Sequence, residues 1–153
     1  MLVRIPAAGG QAVAVSTLVQ GQVRHYAPRF LPGGRQFLFA AQGVVSALWL
    51  GSLDGKEPHR IAAVATGTDS PAEYLAPGWL VRVKGNLLAA QRFDSSTGQL
   101  SGDPVTLAQA VGLDTFSGNG FFSVSPSGTL AWRSGTGSRS QLLWFNRDRK
   151  SVV

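Results

Sequence analysis

The sequence has no cysteine and little charge, and each shortage excludes a class of protein. Without cysteine the 153-residue chain has neither a disulfide framework nor a thiolate site. Charged residues make up 14% of the chain and hydrophobic residues 44%, the reverse of the balance in disordered segments. No uninterrupted apolar stretch approaches the roughly 18 residues of a membrane-spanning helix. The composition predicts a folded chain without a membrane segment.

Acidic residues are also scarce, so the chain carries a net charge of +6 from 14 basic and 8 acidic residues. The basic residues are scattered and form no cluster interleaved with aromatic residues, which would be typical of a nucleic-acid interface. We therefore expect no nucleic-acid partner. The stretch 1–19 is a poor signal peptide, because Pro6, Gly9 and Gly10 interrupt its apolar character.

Groups that could carry chemistry are few. The two histidines, His25 and His59, are not accompanied by an acidic cluster, so we expect neither a bound metal nor a cofactor. No serine lies in a Gly-x-Ser-x-Gly motif, and the stretch 134–141 lacks the Lys-Ser/Thr of a phosphate-binding loop. A pair of carboxylates that meet only in space stays open. We expect a protein that is not an enzyme.

Glycine and proline, in contrast, are abundant, with 19 and 8 residues, and they separate short apolar runs. Such punctuation predicts many strands joined by turns. A Pro-containing turn between two apolar stretches recurs at Pro32, Pro77 and Pro126, at intervals of roughly 45 to 50 residues. A later run in each unit ends in an apolar residue followed by Asp or Asn, as at Leu53-Asp54 and Phe93-Asp94.

This repeat predicts units of four short strands, which is the organisation of a propeller blade. We predict an all-β fold: a partial β-propeller of about three four-stranded blades. An ordinary β-sandwich is the alternative, but it does not account for the repeated order of the two elements. The predicted segments are the end of a blade (1–21), two blades (22–66 and 67–110) and an incomplete blade (111–153).

Aromatic and acidic residues of the repeat have structural interpretations. The four tryptophans lie in strand runs, where packing between blades is favoured over stacking on a sugar or a peptide. They are Trp49, Trp79, Trp132 and Trp144. Asp54 and Asp94 are predicted to cap the turns that follow their strands.

The stretches 32–39 (PGGRQFLF) and 48–55 (LWLGSLDG) resemble the WD40-like repeat of TolB-type β-propellers. The stretches 87–108 and 121–135 are more similar to the propeller regions fused to bacterial serine/threonine kinases. The usual Asp of the Pro-Asp-Gly turn is replaced by Gly33 and Ser127, and Trp79 directly follows Pro77-Gly78. The chain itself has no kinase motif, neither His-Arg-Asp nor Asp-Phe-Gly.

The resemblance implies a non-catalytic binding or protein-interaction module, a propeller segment from a periplasmic or extracytoplasmic sensor. Two alternatives stay open: an accessory propeller that gates a larger enzyme such as a serine peptidase, and a fragment of a propeller protein without independent function. Fold alone does not decide among them.

A ligand would bind at the loops that enter each blade or join its middle strands, because loops on rigid β scaffolds carry function. These loops are 17–27, 41–47, 64–72, 84–86, 109–120 and 134–141. The candidate ligand-binding residues are Arg24, His25, Asp69, Asp114 and Arg139. His25 has an alternative interpretation, as a hydrogen-bonding residue that ties one blade to the next.

Three blades leave two open apolar faces, so the sequence also predicts a homodimer that closes a six-bladed ring. The strand near residues 11–16 of one copy would complete the last blade of the other copy. The terminal stretch KSVV (150–153) is a competing candidate for that same strand position.

Overall fold

The computed structural model describes residues 1–114 and 116–135, together with the backbone of Trp144–Phe145 and Ser151–Val152. The described residues form strands and turns and no helix, which confirms the predicted all-β class. In chain order the strands are β1 (Val3–Arg4), β2 (Val13–Ala14), β3 (Gln22–Phe30), β4 (Gln36–Gly43), β5 (Ala47–Ser52), β6 (His59–Ala63), β7 (Glu73–Leu75), β8 (Trp79–Lys84), β9 (Leu87–Asp94), β10 (Gln99–Ala108), β11 (Phe122–Val124), β12 (Leu130–Trp132), β13 (Trp144–Phe145) and β14 (Ser151–Val152).

Each strand pairs antiparallel with a neighbour in the chain. Strands β3 to β6 form one four-stranded sheet, the first sheet, and β7 to β10 form the second sheet. The pairs β1–β2, β11–β12 and β13–β14 are separate two-stranded hairpins. The first sheet lies within 22–66 and the second within 67–110.

Strand β4 shows why these segments form sheets that are buried on both faces. Phe37, Phe39 and Ala41 point to one face and Leu38 to the other, and all four are buried. Side chains alternate between the faces of a strand, so a continuous apolar run requires a packing partner on each side.

The sheets find those partners by stacking in chain order. Leu2 and Val15 of the N-terminal segment pack on the Phe37/Phe39 face of the first sheet. Leu38 and Leu48 on the opposite face meet Leu80 of the second sheet. The far face of the second sheet packs against the β11–β12 hairpin. The contacting side chains include Val81, Val83, Leu88, Val111, Phe122 and Leu130.

The turns follow the Pro-Gly pattern. Gly33 and Gly34 have φ values of 89° and 65°, in the left-handed region that glycine adopts without strain. The predicted cap at Asp94 is confirmed, since Oδ1 accepts hydrogen bonds from the amide and the hydroxyl of Ser96. The predicted cap at Asp54 is wrong: its carboxylate pairs with Arg35, which lies in the turn before β4.

The tryptophans divide between two environments. Trp49 stacks on Phe39, with ring centroids 6.4 Å apart, and Trp79 packs against the core between the second sheet and β11–β12. Trp132 does not fit the predicted packing between blades, because it is 49% exposed on β12. The side chain of Trp144 lies outside the described residues.

Beyond residue 111 the residues that the structure describes form two short hairpins, β11–β12 and β13–β14. Strand β14, which contains part of the KSVV stretch, pairs with β13, so that Phe145 lies opposite Ser151. Strand β2 pairs with β1 of its own chain. The predicted dimer would exchange β2 between copies, and β14 is the competing strand. In this structure both strands are paired within their own chain.

Candidate binding surface at the loop end of the first sheet

The start of β3 and the end of β4 form one end of the first sheet, which we call the loop end. Arg24 lies opposite Gln42 in the β3–β4 pairing. Its Nε donates a hydrogen bond of 2.6 Å to Oε1 of Gln42, and its Cζ lies 4.8 Å from the centroid of the Tyr26 ring. Arg24 is exposed, and these two contacts hold its guanidinium in one place.

Tyr26 connects Arg24 with the loop that precedes β11. A Cβ atom on Gly118 would lie 3.5 Å from Cε2 of Tyr26, so this loop packs closely against the ring. Burial raises the pKa of Tyr26, and the charge of Arg24 opposes that shift. Residues from the predicted segments 22–66 and 111–153 therefore meet at this ring.

Asp114 shapes the same loop. Its Oδ1 accepts from the amide of Phe116 and its Oδ2 from the hydroxyl of Ser117, at 2.9 and 3.0 Å. The hydrogen bond from the Phe116 amide is the main reason that the pKa of Asp114 lies below its ordinary value. The carboxylate thus stabilises the loop, and the loop presents Phe116 with 93% of its surface exposed.

His25 points inward and joins the N-terminal segment to the first sheet. Its Nδ1 lies 2.8 Å from Oγ of Ser16, which also accepts a hydrogen bond from the amide of Leu2. Its Nε2 lies 2.8 Å from Oε1 of Gln22, and its ring packs against Phe39. Since an amide oxygen only accepts, Nε2 carries the proton and Nδ1 accepts from the Ser16 hydroxyl. The structure thus shows the tie between neighbouring segments and buries the imidazole.

Burial lowers the pKa of His25, and the positive N-terminal ammonium lowers it further. As the pH falls to about 6.5, His25 of the unfolded chain binds a proton, whereas His25 of the folded chain stays neutral until a lower pH. The stability that this neutral imidazole contributes is therefore complete above about pH 6.5 and is lost as the pH falls toward the lower folded-state pKa.

We expect urea unfolding to show a free energy of unfolding that decreases from about pH 7 to pH 5, with a smaller decrease in the His25→Gln variant. The control is His59→Gln, which replaces an exposed histidine. An equal pH dependence in the His25→Gln variant and the unmodified protein would contradict this assignment.

Asp69 is buried, with 8% of its surface exposed, and its carboxylate organises two turns. Oδ2 accepts from the amide of Ala65 and Oδ1 from the amide of Gly85, at 3.3 and 3.2 Å. Burial lowers the pKa of the neighbouring Arg82, an effect that the Asp69 charge opposes. Arg82 donates to the carbonyl of Ala63. Asp69 therefore holds loops together and has little surface to offer a ligand.

The four predicted ligand-binding residues that the structure describes thus occupy different environments. Arg24 and the Asp114 loop meet around Tyr26 at the surface, whereas the side chains of His25 and Asp69 are buried and hold chain segments together. Arg139, and with it most of the 134–141 loop, lies outside the described residues.

The loop end also carries apolar side chains that are not among the predicted ligand-binding residues. Val19, Val23, Val44 and Val45, which we call the loop-end valines, are all exposed, and Val44 reaches 91%. The amide of Val44 donates to the carbonyl of Gly21, which places the β4–β5 turn beside the residues that enter β3. A signal was present in the sequence, because two adjacent valines are unusual in a turn between Gly43 and Ser46.

The larger cavities lie mostly beyond the loop end, although Val19 borders one of them. One of about 370 Å³ lies between the N-terminal hairpin and the β5–β6 turn and includes Arg4 and Glu57. Another of about 380 Å³ lies near the proline turns at the opposite end of the sheets and includes Pro32, Tyr74 and Pro126.

Two features are absent from the part of the chain that the structure describes. No group of three or more His, Cys, Asp or Glu side chains is placed to hold a metal ion there. That part also holds no helix that is long and apolar enough to cross a membrane.

Comparison with known proteins gives no relative from which a function could be transferred. No family model, no curated protein and no solved structure matches the chain. The functional argument therefore depends on the surface itself.

Proposed function

We propose that this chain is a non-catalytic protein-interaction module whose two four-stranded sheets are blades of a partial β-propeller. The stacking of antiparallel four-stranded sheets in chain order, each covered on both faces, supports the blade interpretation. The resemblance of the repeats to TolB-type propellers supports it as well.

The observation that carries the binding function is the apolar character of the loop end. Each of the four loop-end valines exposes more than a third of its surface, and Phe116 stands on the loop that packs against Tyr26. Grouped exposed apolar side chains mark sites of protein interaction, whereas single ones are ordinary. The loop end therefore suits the surface of another protein.

The test is a selection of random displayed peptides on the immobilised full chain, followed by affinity measurement of the enriched peptides. Replacing both Val44 and Val45 by serine is expected to weaken binding about tenfold or more, since burying a valine stabilises by ~1.5 kcal/mol or more. Both side chains are exposed, so the fold should be unaffected.

The matched control is Val105→Ser, a change of the same chemistry at an exposed site on β10. It is expected to leave the affinity unchanged. Enriched peptides that bind the Val44/Val45 double variant as tightly as the unmodified chain would contradict the proposal.

We also propose that two copies of the chain associate through the outer face of the N-terminal hairpin. Leu2 and Val15 of this segment pack inward, whereas Val3 and Ile5 are 54% and 58% exposed. On both faces of the first and second sheets the buried core is covered by a neighbouring sheet or hairpin. In the predicted ring of six blades, the last blade of a second copy would cover this hairpin, and the two-fold symmetry would use the same contact twice.

A further inference from the structure

Arg24 is a positive charge at the loop end for which the described residues provide no carboxylate. The ion pairs among those residues are Arg29–Glu73 and Arg35–Asp54. Of the acidic residues in the loops that we predicted to bind a ligand, Asp69 is buried and Asp114 binds its own loop. The charge of Arg24 is therefore available to a partner.

The guanidinium is also held in position. Arg24 Nε donates its hydrogen bond to the Gln42 oxygen, and the ring of Tyr26 lies against one face of the guanidinium. These contacts use neither terminal nitrogen, Nη1 nor Nη2. An arginine held in this way loses little conformational entropy on binding, and its planar donors match the two oxygens of a carboxylate.

Apolar side chains adjoin this charge. Val23 precedes Arg24 in β3, and Gln22 pairs with Gly43, which places Val44 next to this part of β3. A partner that lies across this end meets one cation flanked by exposed valines.

We propose that the loop end recognises a protein segment in which an Asp or Glu side chain is flanked by apolar residues, and that Arg24 binds the carboxylate. This inference rests on the proposed interaction function and adds the chemistry of the partner. Charge complementarity supplies the specificity, and the valines supply apolar contact.

The test uses an array of blocked synthetic peptides in which a central Asp or Asn is flanked by combinations of Leu, Val, Ala and Ser. The full chain is expected to bind Asp peptides with apolar flanks more tightly than their Asn counterparts. Arg24→Gln should weaken binding of the Asp peptides about tenfold and leave the Asn peptides unchanged, because charge-assisted hydrogen bonds are the stronger ones.

Arg92→Gln is the matched control. Arg92 also lies over an aromatic ring, with Cζ 4.1 Å from the centroid of Trp79, but it is on β9. We expect this variant to bind the array like the unmodified chain. A loss equal to that of Arg24→Gln would mean that net charge, and not the site, determines binding, and would overturn the inference.

Other outcomes separate this inference from the proposed function. If Asp and Asn peptides bind equally and only the Val44/Val45 double variant loses affinity, the interaction function stands and the role of Arg24 is wrong. If neither change affects any bound peptide, both proposals fail. Arg24-dependent binding only to unblocked C-termini, to inorganic phosphate or to single-stranded DNA would overturn the assignment of an acidic side chain.

Discussion

Replacing Phe39 by alanine is expected to lower the free energy of unfolding by about 3–5 kcal/mol, the usual cost of removing a buried aromatic side chain. Phe39 is 1% exposed and packs against His25, Phe37 and Trp49, with ring centroids 4.8, 5.8 and 6.4 Å away. Alanine would leave a cavity between the first sheet and the N-terminal hairpin, and the rigid rings around it could fill little of the space.

Denaturant or thermal unfolding measures this loss. At roughly 2–4 °C per kcal/mol for a chain of this size, the midpoint should fall by about 6–20 °C. Phe116→Ala provides the control, because the same atoms are removed from a side chain that is almost fully exposed. Similar losses in the two variants would show that Phe39 is not in a packed core.

Light scattering at micromolar concentration is expected to give twice the mass of one chain. The proposed association covers the exposed face of Val3 and Ile5, and a charged side chain there would lose its hydration without gaining a partner. The Ile5→Asp variant should therefore have the mass of a single chain and keep its β-sheet circular dichroism.

Val105→Asp is the control for this experiment, since it places the same charge at a similarly exposed valine on β10. It should leave the mass at two chains. A single-chain mass for the unmodified protein, with a folded β spectrum, would rule out the dimer. A dimer that survives Ile5→Asp would place the interface elsewhere.

The strand-exchange route to such a dimer has a further requirement. Strand β14 pairs with β13, and β2 pairs with β1, within one chain. Exchange would have to break one of these pairings and replace its main-chain hydrogen bonds. A dimer formed by packing of whole faces leaves both pairings intact.

The sequence was least informative about which polar groups face solvent. His25, Asp69 and Asp114 all lie in loops or at the start of a strand and looked equally available to a ligand. In the structure His25 binds Ser16 and Gln22, and Asp69 binds the amides of Ala65 and Gly85. His25 and Asp69 lie 3 to 16 positions away from these partners in the sequence. How the turns close decides which of the possible partners each side chain meets.

The same reason explains the two corrections. Asp54 caps no turn because Arg35, from the turn before β4, comes within reach once β4 and β5 pair. Trp132 is half exposed on β12, while Trp49 packs against the Phe37/Phe39 cluster that the N-terminal segment covers.

The sequence by itself determined the all-β class and the positions of the turns that separate its strands. Each of these follows from local chemistry, namely the fixed φ of proline, the positive φ open to glycine and the alternation of side chains along a strand. Only the tertiary structure decided that Arg24, Tyr26 and the Asp114 loop share one surface and that the loop-end valines flank it. That arrangement depends on the stacking of the sheets, which brings together residues about ninety positions apart.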